Sequence, residues 1–264
     1  MAANNWNSFL MPYEQAGEEL KVKLKSIRKE YRKRNEYSPV EFVTGRVKEV
    51  ASILEKANKF GIPISRIGYE LEDIAGIRIM CQFVDDIDTV VEILRGRKDM
   101  QILYEKDYVN NVKPSGYRSY HMLIKYPVNM ANGPVEILAE FQIRTLAMNF
   151  WATIEHSLSY KYKKKIPEKL QQQLKNAADA AFRLDEEMLE IKDEIKDAQQ
   201  LFEVRSDVIS RIMSKIVTLS SIGRDAEASR YENSLNKLVE EGEVWELNNL
   251  LFAINKDVEK YKEN

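Results

Sequence analysis

The hydrophobic period of this chain changes twice. Over 13–35, Leu20, Leu24, Ile27 and Tyr31 recur at helical spacing and predict one buried stripe. Lys21, Lys25, Arg28 and Arg32 repeat that spacing one residue on, with no acid among them. Charges so arranged usually form a solvated face. Ser38-Pro39 ends this helix, and a second amphipathic helix is expected over about 46–60, closed by Gly61-Ile62-Pro63. The period then falls to two. Ile77, Ile79, Cys81 and Phe83 share one face of a strand, Arg78 and Gln82 the other, with Asp73 at its start. A helix over about 86–96 and a strand near 101–107 follow. Strand 120–126 sets Tyr120, Met122, Ile124 and Tyr126 against His121, Leu123 and Lys125. After a turn at Asn132-Gly133-Pro134, strand 135–143 sets Val135, Ile137, Ala139, Phe141 and Ile143 against Glu136, Glu140 and Gln142.

From Thr145, a suitable N-cap, the pattern is helical to the end. A helix with Phe150, Trp151, Ile154 and Leu158 leads to the basic run Lys161-Tyr162-Lys163-Lys164-Lys165 and to Pro167. A heptad seam then runs through Leu170, Leu174, Ala177, Ala181, Leu184, Met188, Ile191, Ile195, Ala198 and Phe202. It suits packing within the domain or against another helix or subunit. Residues 207–264 read as two or three more helices, interrupted at Gly223 and Gly242. The fold class is α+β.

Composition narrows the options. Forty Lys and Arg against 42 Asp and Glu leave a net charge of −2, so no global field recruits nucleic acid or an anionic membrane. Cys81, the lone cysteine, permits no internal disulfide, and with only His121 and His156 beside it a zinc site is unsupported. No apolar run approaches the ~20 residues that span a bilayer, and the first six residues do not form a signal peptide. The expectation is a soluble cytoplasmic protein.

Chemistry concentrates in Lys113-Pro114-Ser115-Gly116-Tyr117-Arg118-Ser119-Tyr120-His121 and in Glu140-Phe141-Gln142-Ile143-Arg144-Thr145. A Pro/Gly-broken loop carrying Tyr117 between Lys113 and Arg118 suits base stacking and phosphate contact. Acid is depleted in strands, so mid-strand Glu140 is either solvent-facing decoration or a working carboxylate. With Asp73 it would make a pair for Mg²⁺, which takes one or two carboxylates plus phosphate oxygens. Arg46, Lys48, Lys56 and Lys59 add cations, the lysines falling roughly on one helix face. His121 and His156 can equally be structural, and Cys81 a small core residue. Spacing alone reaches a soluble α+β domain that handles a phosphorylated ligand.

Four segments reach further: Glu41-Phe42-Val43-Thr44-Gly45-Arg46-Val47-Lys48, Asp73-Ile74-Ala75-Gly76-Ile77-Arg78-Ile79, Ser115 to His121, and Glu140 to Thr145 with Asn149-Phe150-Trp151-Ala152. In this order they resemble the RelA/SpoT synthetase domain, nearest to the small alarmone synthetases of the RelQ type. The resemblance covers about 1–205, with 206–264 as a helical extension. It implies a mixed central β-sheet flanked by helices, a nucleotidyltransferase-like fold. The implied activity is a GTP/GDP pyrophosphokinase that moves the β,γ-diphosphate of ATP to the 3′-hydroxyl of GDP or GTP, giving AMP and (p)ppGpp. By this resemblance Asp73 and Glu140 hold Mg²⁺, and Glu140 activates the hydroxyl. Arg46, Lys48, Lys56 and Arg78 grip ATP, with Lys59 and Lys106 in places where relatives can carry Arg, the better bidentate phosphate ligand. Lys113, Tyr117, His121, Gln142 and Asn149 match the guanine-nucleotide side. The type also implies a homotetramer whose central cleft binds pppGpp or ppGpp allosterically and can take single-stranded RNA, matched by Lys21, Lys25, Arg28, Glu41, Phe42 and Thr44. Neither histidine is followed by Asp, so synthesis without hydrolysis is expected. The rival readings are a regulatory alarmone- or RNA-binding protein with a decayed site, and a related enzyme making an adenosine 3′-pyrophosphate.

Overall fold

The computed structural model describes residues 6–161 and 167–262. The basic run expected at 161–165 lies outside them beyond Lys161. The chain forms two compact units, Met1–Leu189 and Glu190–Asn264. The first is built on a five-stranded sheet: β1 (Phe42–Val47), β2 (Ala75–Cys81), β3 (Gln101–Asp107), β4 (Tyr120–Met130) and β5 (Gly133–Thr145). Their order is β1-β2-β5-β4-β3, with only β2 and β5 parallel.

The alternation that predicts β2, β4 and β5 is the alternation of burial except at Leu123, expected opposite the core face but 4% exposed, and Val135, expected on it but 40% exposed. Ile77, Ile79, Met122, Ile124, Phe141 and Ile143 are fully buried. They share one core with Leu20 and Leu24 of α1 (Trp6–Lys33), Ile53 and Ala57 of α2 (Val50–Phe60), and Val90 and Leu94 of α4 (Asp85–Arg95). A short helix, α3 (Ile67–Glu70), precedes β2. Each apolar side chain so buried contributes about 1.5–3 kcal/mol. One face of the sheet is thereby spent on the core, and the other is left for chemistry.

Three expected boundaries need correction. The turn expected at Asn132-Gly133-Pro134 falls at 131–132, since Gly133 and Pro134 already belong to β5 and pair with Met130 and Asn129. Helix α1 begins at Trp6 rather than 13, carrying Pro12 inside it. Trp6, Phe9 and Tyr13 form a chain of ring contacts that anchors this first stretch despite the missing Pro12 N–H. The helix expected over 46–60 is a strand followed by a helix. β1 occupies Phe42–Val47, and α2 begins only at Val50, so Lys48 lies before the helix on which Lys56 and Lys59 sit. β1 is an edge strand in which Val43 alone is buried, which left little alternation to read.

Thr145 caps α5 (Leu146–Lys161): its Oγ1 accepts the Met148 N–H at 3.1 Å and donates to Asp185 Oδ2 at 2.6 Å. Asp185, 5% exposed, lies on α6 (Glu168–Ser221), and burial pushes its carboxyl up to about 6 against the single Thr145 hydrogen bond. The unfolded carboxyl releases its proton near 3.8 and the folded one near 6. Stability therefore falls as pH rises through that window and is flat above it. Asp185→Asn is expected to abolish this slope and to raise stability near neutral pH by about 2 kcal/mol. Denaturant melts at about pH 4 and about pH 7.5 read both effects.

In the second unit, Val208, Ile212 and Leu219 of α6 pack with Tyr231 and Leu235 of α7 (Asp225–Glu241) and with Leu247, Leu251 and Ile254 of α8 (Val244–Lys262). α6 includes residue 206, where the helical extension was expected to begin, and ends before Gly223, an expected interruption, whose φ of +73° is left-handed. Along the heptad seam, Leu184, Met188, Ile191, Ile195 and Phe202 are exposed.

Candidate active site

Residues directly opposed in a strand pair point to the same face, and the register lines up two rows across the sheet. Arg46 opposes Gly76, and Gly76 opposes Glu140. One step along, Thr44 opposes Arg78, Arg78 opposes Gln142, Gln142 opposes His121, and His121 opposes Lys106. An open cavity of about 240 Å³ lies over these rows, lined by Thr44, Gly45, Arg46, Asp73, Gly76, Arg78, Glu140 and Gln142. Gly76 is its floor, since a Cβ there would meet nothing within 4 Å.

Asp73 sits two residues before β2, where its Oδ2 takes Lys48 Nζ at 2.5 Å and Lys56 Nζ at 2.8 Å. Burial pushes its carboxyl up, but the two lysines outweigh burial and hold it below the usual range. Its Oδ1 is buried without a hydrogen-bond partner. Glu140 Oε1 is 2.8 Å from His121 Nδ1, and Oε2 accepts from Gln142 Nε2 at 2.7 Å. Burial again works upward and is outweighed by the hydrogen bonds from His121 and Gln142, so Glu140 also lies below its ordinary value. Both acids are anions at neutral pH. Among the described residues no cluster of three His, Cys, Asp or Glu side chains could cage a metal. Two carboxylates, one with an orphaned oxygen, fit Mg²⁺ of the kind that completes its shell with phosphate oxygens and water.

The cations outnumber these acids. Arg46 and Arg78 make no ion pair among the described residues, and burial together with Arg144 and Arg46 lowers the Arg78 guanidinium below its usual range. A low-dielectric face with surplus positive charge suits a polyphosphate.

Beside the cavity, the 113–121 loop is fixed by Gly116. Its φ is +88°, and a Cβ there would lie 2.6 Å from the Ala178 Cβ. The loop delivers Tyr117, whose hydroxyl meets His121 Nε2 at 2.7 Å and Arg144 at 2.6 Å. Lys113 Nζ stands 4.8 Å from the Tyr117 ring and 4.1 Å from that of Tyr108. The expectation of an exposed Tyr117 between Lys113 and Arg118 is only half met. Tyr117 is half-buried, and Arg118 turns away to stack on Phe182 at 3.8 Å and bond the Val109 carbonyl. Asn149, on the first turn of α5, has a buried Oδ1 without a partner.

Other expected residues stand further out. Lys59 is exposed beside the Phe60 ring, and Lys106 is exposed, bonding the Tyr104 hydroxyl at 3.2 Å. His156 is exposed on α5, and Cys81 is buried in the core. The basic stripe of α1 is not unopposed: Lys21 pairs with Glu18 at 2.5 Å and Arg28 with Glu41 at 2.7 Å. Glu18 lies one turn before Lys21, outside the four-residue stripe, and Glu41 arrives from the start of β1. Lys25 is exposed, Phe42 projects from β1, and Thr44 belongs to the cavity itself. Sequence reasoning assigned no role to Arg144 or Tyr108. Arg144 follows Gln142 on the same face of β5, a spacing that could have marked it. Tyr108, 5.2 Å edge-on from His121, carried no signal beyond following a strand.

Comparison with known proteins agrees with this geometry. The family profile described as a region found in RelA / SpoT proteins matches residues 45–165. The GTP pyrophosphokinase YjbM of Bacillus subtilis (strain 168) is 57% identical over 202 residues, covering 76% of this chain and 95% of the relative. The crystal structure of small alarmone synthetase 1 from Bacillus subtilis bound to its product pppGpp superimposes with a TM-score of 0.70 at 58% identity, over 72% of this chain and 98% of that one. The same synthetase bound to AMPCPP gives 0.65 at 54% identity, over 73% and 98%. The mixed five-stranded sheet, the carboxylate pair on its open face and an identity above half over nearly the whole of YjbM together mean that this chain belongs to the RelA/SpoT family.

Proposed function

We propose that this chain is a GTP pyrophosphokinase that makes (p)ppGpp, transferring the β,γ-diphosphate of ATP to the ribose 3′-hydroxyl of GDP or GTP. The observation that carries the reading is the pairing of Asp73 and Glu140 on one cation-rich sheet face beside Tyr117. Two similar structures, one with pppGpp and one with an ATP analogue, support it.

In this reading Arg46, Lys48, Lys56 and Arg78 hold the ATP phosphates in line, with Lys59 and Lys106 at the rim. Lys113, Tyr117, His121, Gln142 and Asn149 hold the acceptor, Tyr117 against guanine. Glu140, an anion with a free lone pair on each oxygen, takes the proton of the 3′-hydroxyl. The 3′-oxygen bonds to the β-phosphorus, the bond from that phosphorus to the oxygen bridging the α- and β-phosphates breaks, and AMP leaves carrying the bridging oxygen. Mg²⁺, when held by Asp73 and Glu140, neutralises charge on the transferring phosphates. Such transfer depends on positioning and charge more than on covalent catalysis. With GDP, GTP and ATP offered together as acceptors, guanosine products are expected; an adenosine 3′-pyrophosphate as main product would overturn the acceptor assignment.

The same reading includes a cytoplasmic homotetramer whose central cleft, with Lys21, Lys25, Arg28, Glu41, Phe42 and Thr44, binds pppGpp or ppGpp and can take single-stranded RNA. The exposed Lys25 and the exposed apolar seam of α6 are consistent with it, and among the described residues no helix is long and apolar enough to cross a membrane. Added pppGpp is expected to stimulate synthesis, and Lys25→Glu to abolish that stimulation. Stimulation unchanged in the variant would move the effector site elsewhere.

A further inference from the structure

Arg144 is 4% exposed and makes no ion pair among the described residues. Its three hydrogen bonds go to neutral acceptors: Nε to Ser119 Oγ at 3.2 Å, and Nη2 to Tyr117 Oη at 2.6 Å and to Gln142 Oε1 at 2.7 Å. A buried guanidinium without a carboxylate against it is costly. Its hydrogen-bonding character is also fixed, because it donates and never accepts.

Two chains of hydrogen bonds lead from Arg144 to Glu140, which as an anion only accepts. The short one passes through Gln142, whose Nε2 reaches Glu140 Oε2. The long one passes through Tyr117 and His121, whose Nδ1 reaches Glu140 Oε1. Each intermediate group can both donate and accept, or turn over, so left to itself it has two states. With a pure donor at one end and a pure acceptor at the other, the Gln142 link has one orientation that satisfies both bonds. The Gln142 carbonyl faces Arg144 and its amide faces Glu140. The Tyr117 oxygen accepts from Arg144, which fixes where the phenol stands beside His121.

We propose that Arg144 is a positioning residue of the acceptor half-site. By closing this ring it fixes the orientation of Tyr117 and Gln142. The proposal rests on the assignment of Tyr117, His121 and Gln142 to the acceptor nucleotide. Arg144 does not line the cavity; it presents the groups that hold the acceptor in one arrangement before the nucleotide arrives, which lowers the cost of binding it.

Steady-state kinetics and a double-mutant cycle test this. In steady-state assays Arg144→Met should raise the KM for GDP about tenfold or more, the effect of one unsatisfied buried hydrogen bond. The KM for ATP should stay within about twofold. In a Tyr117→Phe background the same substitution should cost much less, because the two act through one chain. Independent, multiplying effects, or an equal loss on the ATP side, would overturn Arg144 as a positioning residue. Should Arg144→Met fail to fold, Arg144→Lys replaces it in the cycle: it keeps the charge but cannot span three acceptors, and the same non-additivity is expected. With an active wild-type chain, multiplying effects condemn the ring alone. A wild-type chain that made no AMP and no ppGpp would instead condemn the synthetase reading.

Discussion

Glu140→Gln is expected to lower the turnover of (p)ppGpp synthesis by about 10²–10⁴-fold, the range for removing a general base, while GDP and ATP affinities change by no more than a few fold. Glutamine keeps the size and one carbonyl acceptor but cannot take a proton. The wild-type carboxylate is held in its anionic form by His121 and Gln142 against the upward push of burial. It is therefore available at neutral pH, although a depressed value makes it a modest base. Position compensates for basicity, since Glu140 stands in the row of Gly76 and Arg46 over the open cavity floor. Rapid quench with pre-bound nucleotides separates the chemical step from binding. A variant that kept more than about a tenth of the wild-type rate would remove Glu140 from the role of base.

Asp73→Asn is the second large expected effect. The substitution removes the anion shared by Lys48 and Lys56 and leaves an amide where Oδ1 is already buried without a partner. The freed lysines still attract phosphate, so ATP binding in the absence of Mg²⁺ should hold or tighten. What is lost is a hard oxygen ligand, one of only two carboxylates in the cavity. Turnover is expected to fall about 10²-fold or more, and the Mg²⁺ concentration for half-maximal rate to rise about tenfold or more. Titration of Mg²⁺ at fixed ATP and GDP reads both; an unchanged midpoint would place the metal elsewhere.

How much of this was legible in the sequence depended on whether position or pattern carried it. β2, β4 and β5 alternate regularly enough that most of their buried positions follow from spacing, Leu123 and Val135 excepted, and Glu140 and Gln142 stand out on the opposite face. β1 did not announce itself, because an edge strand with Val43 as its one buried residue has almost no period. Helical spacing of Lys48 with Lys56 was the wrong reason for a correct grouping. The two meet at Asp73 because one leaves β1 and the other lies on α2. Pairings between distant segments were likewise invisible. Arg28 finds Glu41, Arg118 finds Phe182, and Arg144 finds Tyr117, contacts that only the folded chain creates. The roles within the site came from the family resemblance, since spacing reached a phosphate-handling domain and stopped there.

The central claim is that the carboxylate pair on the open sheet face transfers a diphosphate from ATP to a guanine nucleotide. Its most direct test is to incubate the purified full chain with ATP, GDP and Mg²⁺ and to quantify products by anion-exchange chromatography. The account predicts AMP and ppGpp in equal amounts, with the added diphosphate on the ribose 3′-oxygen. ADP with free phosphate, or no AMP at all, would contradict it.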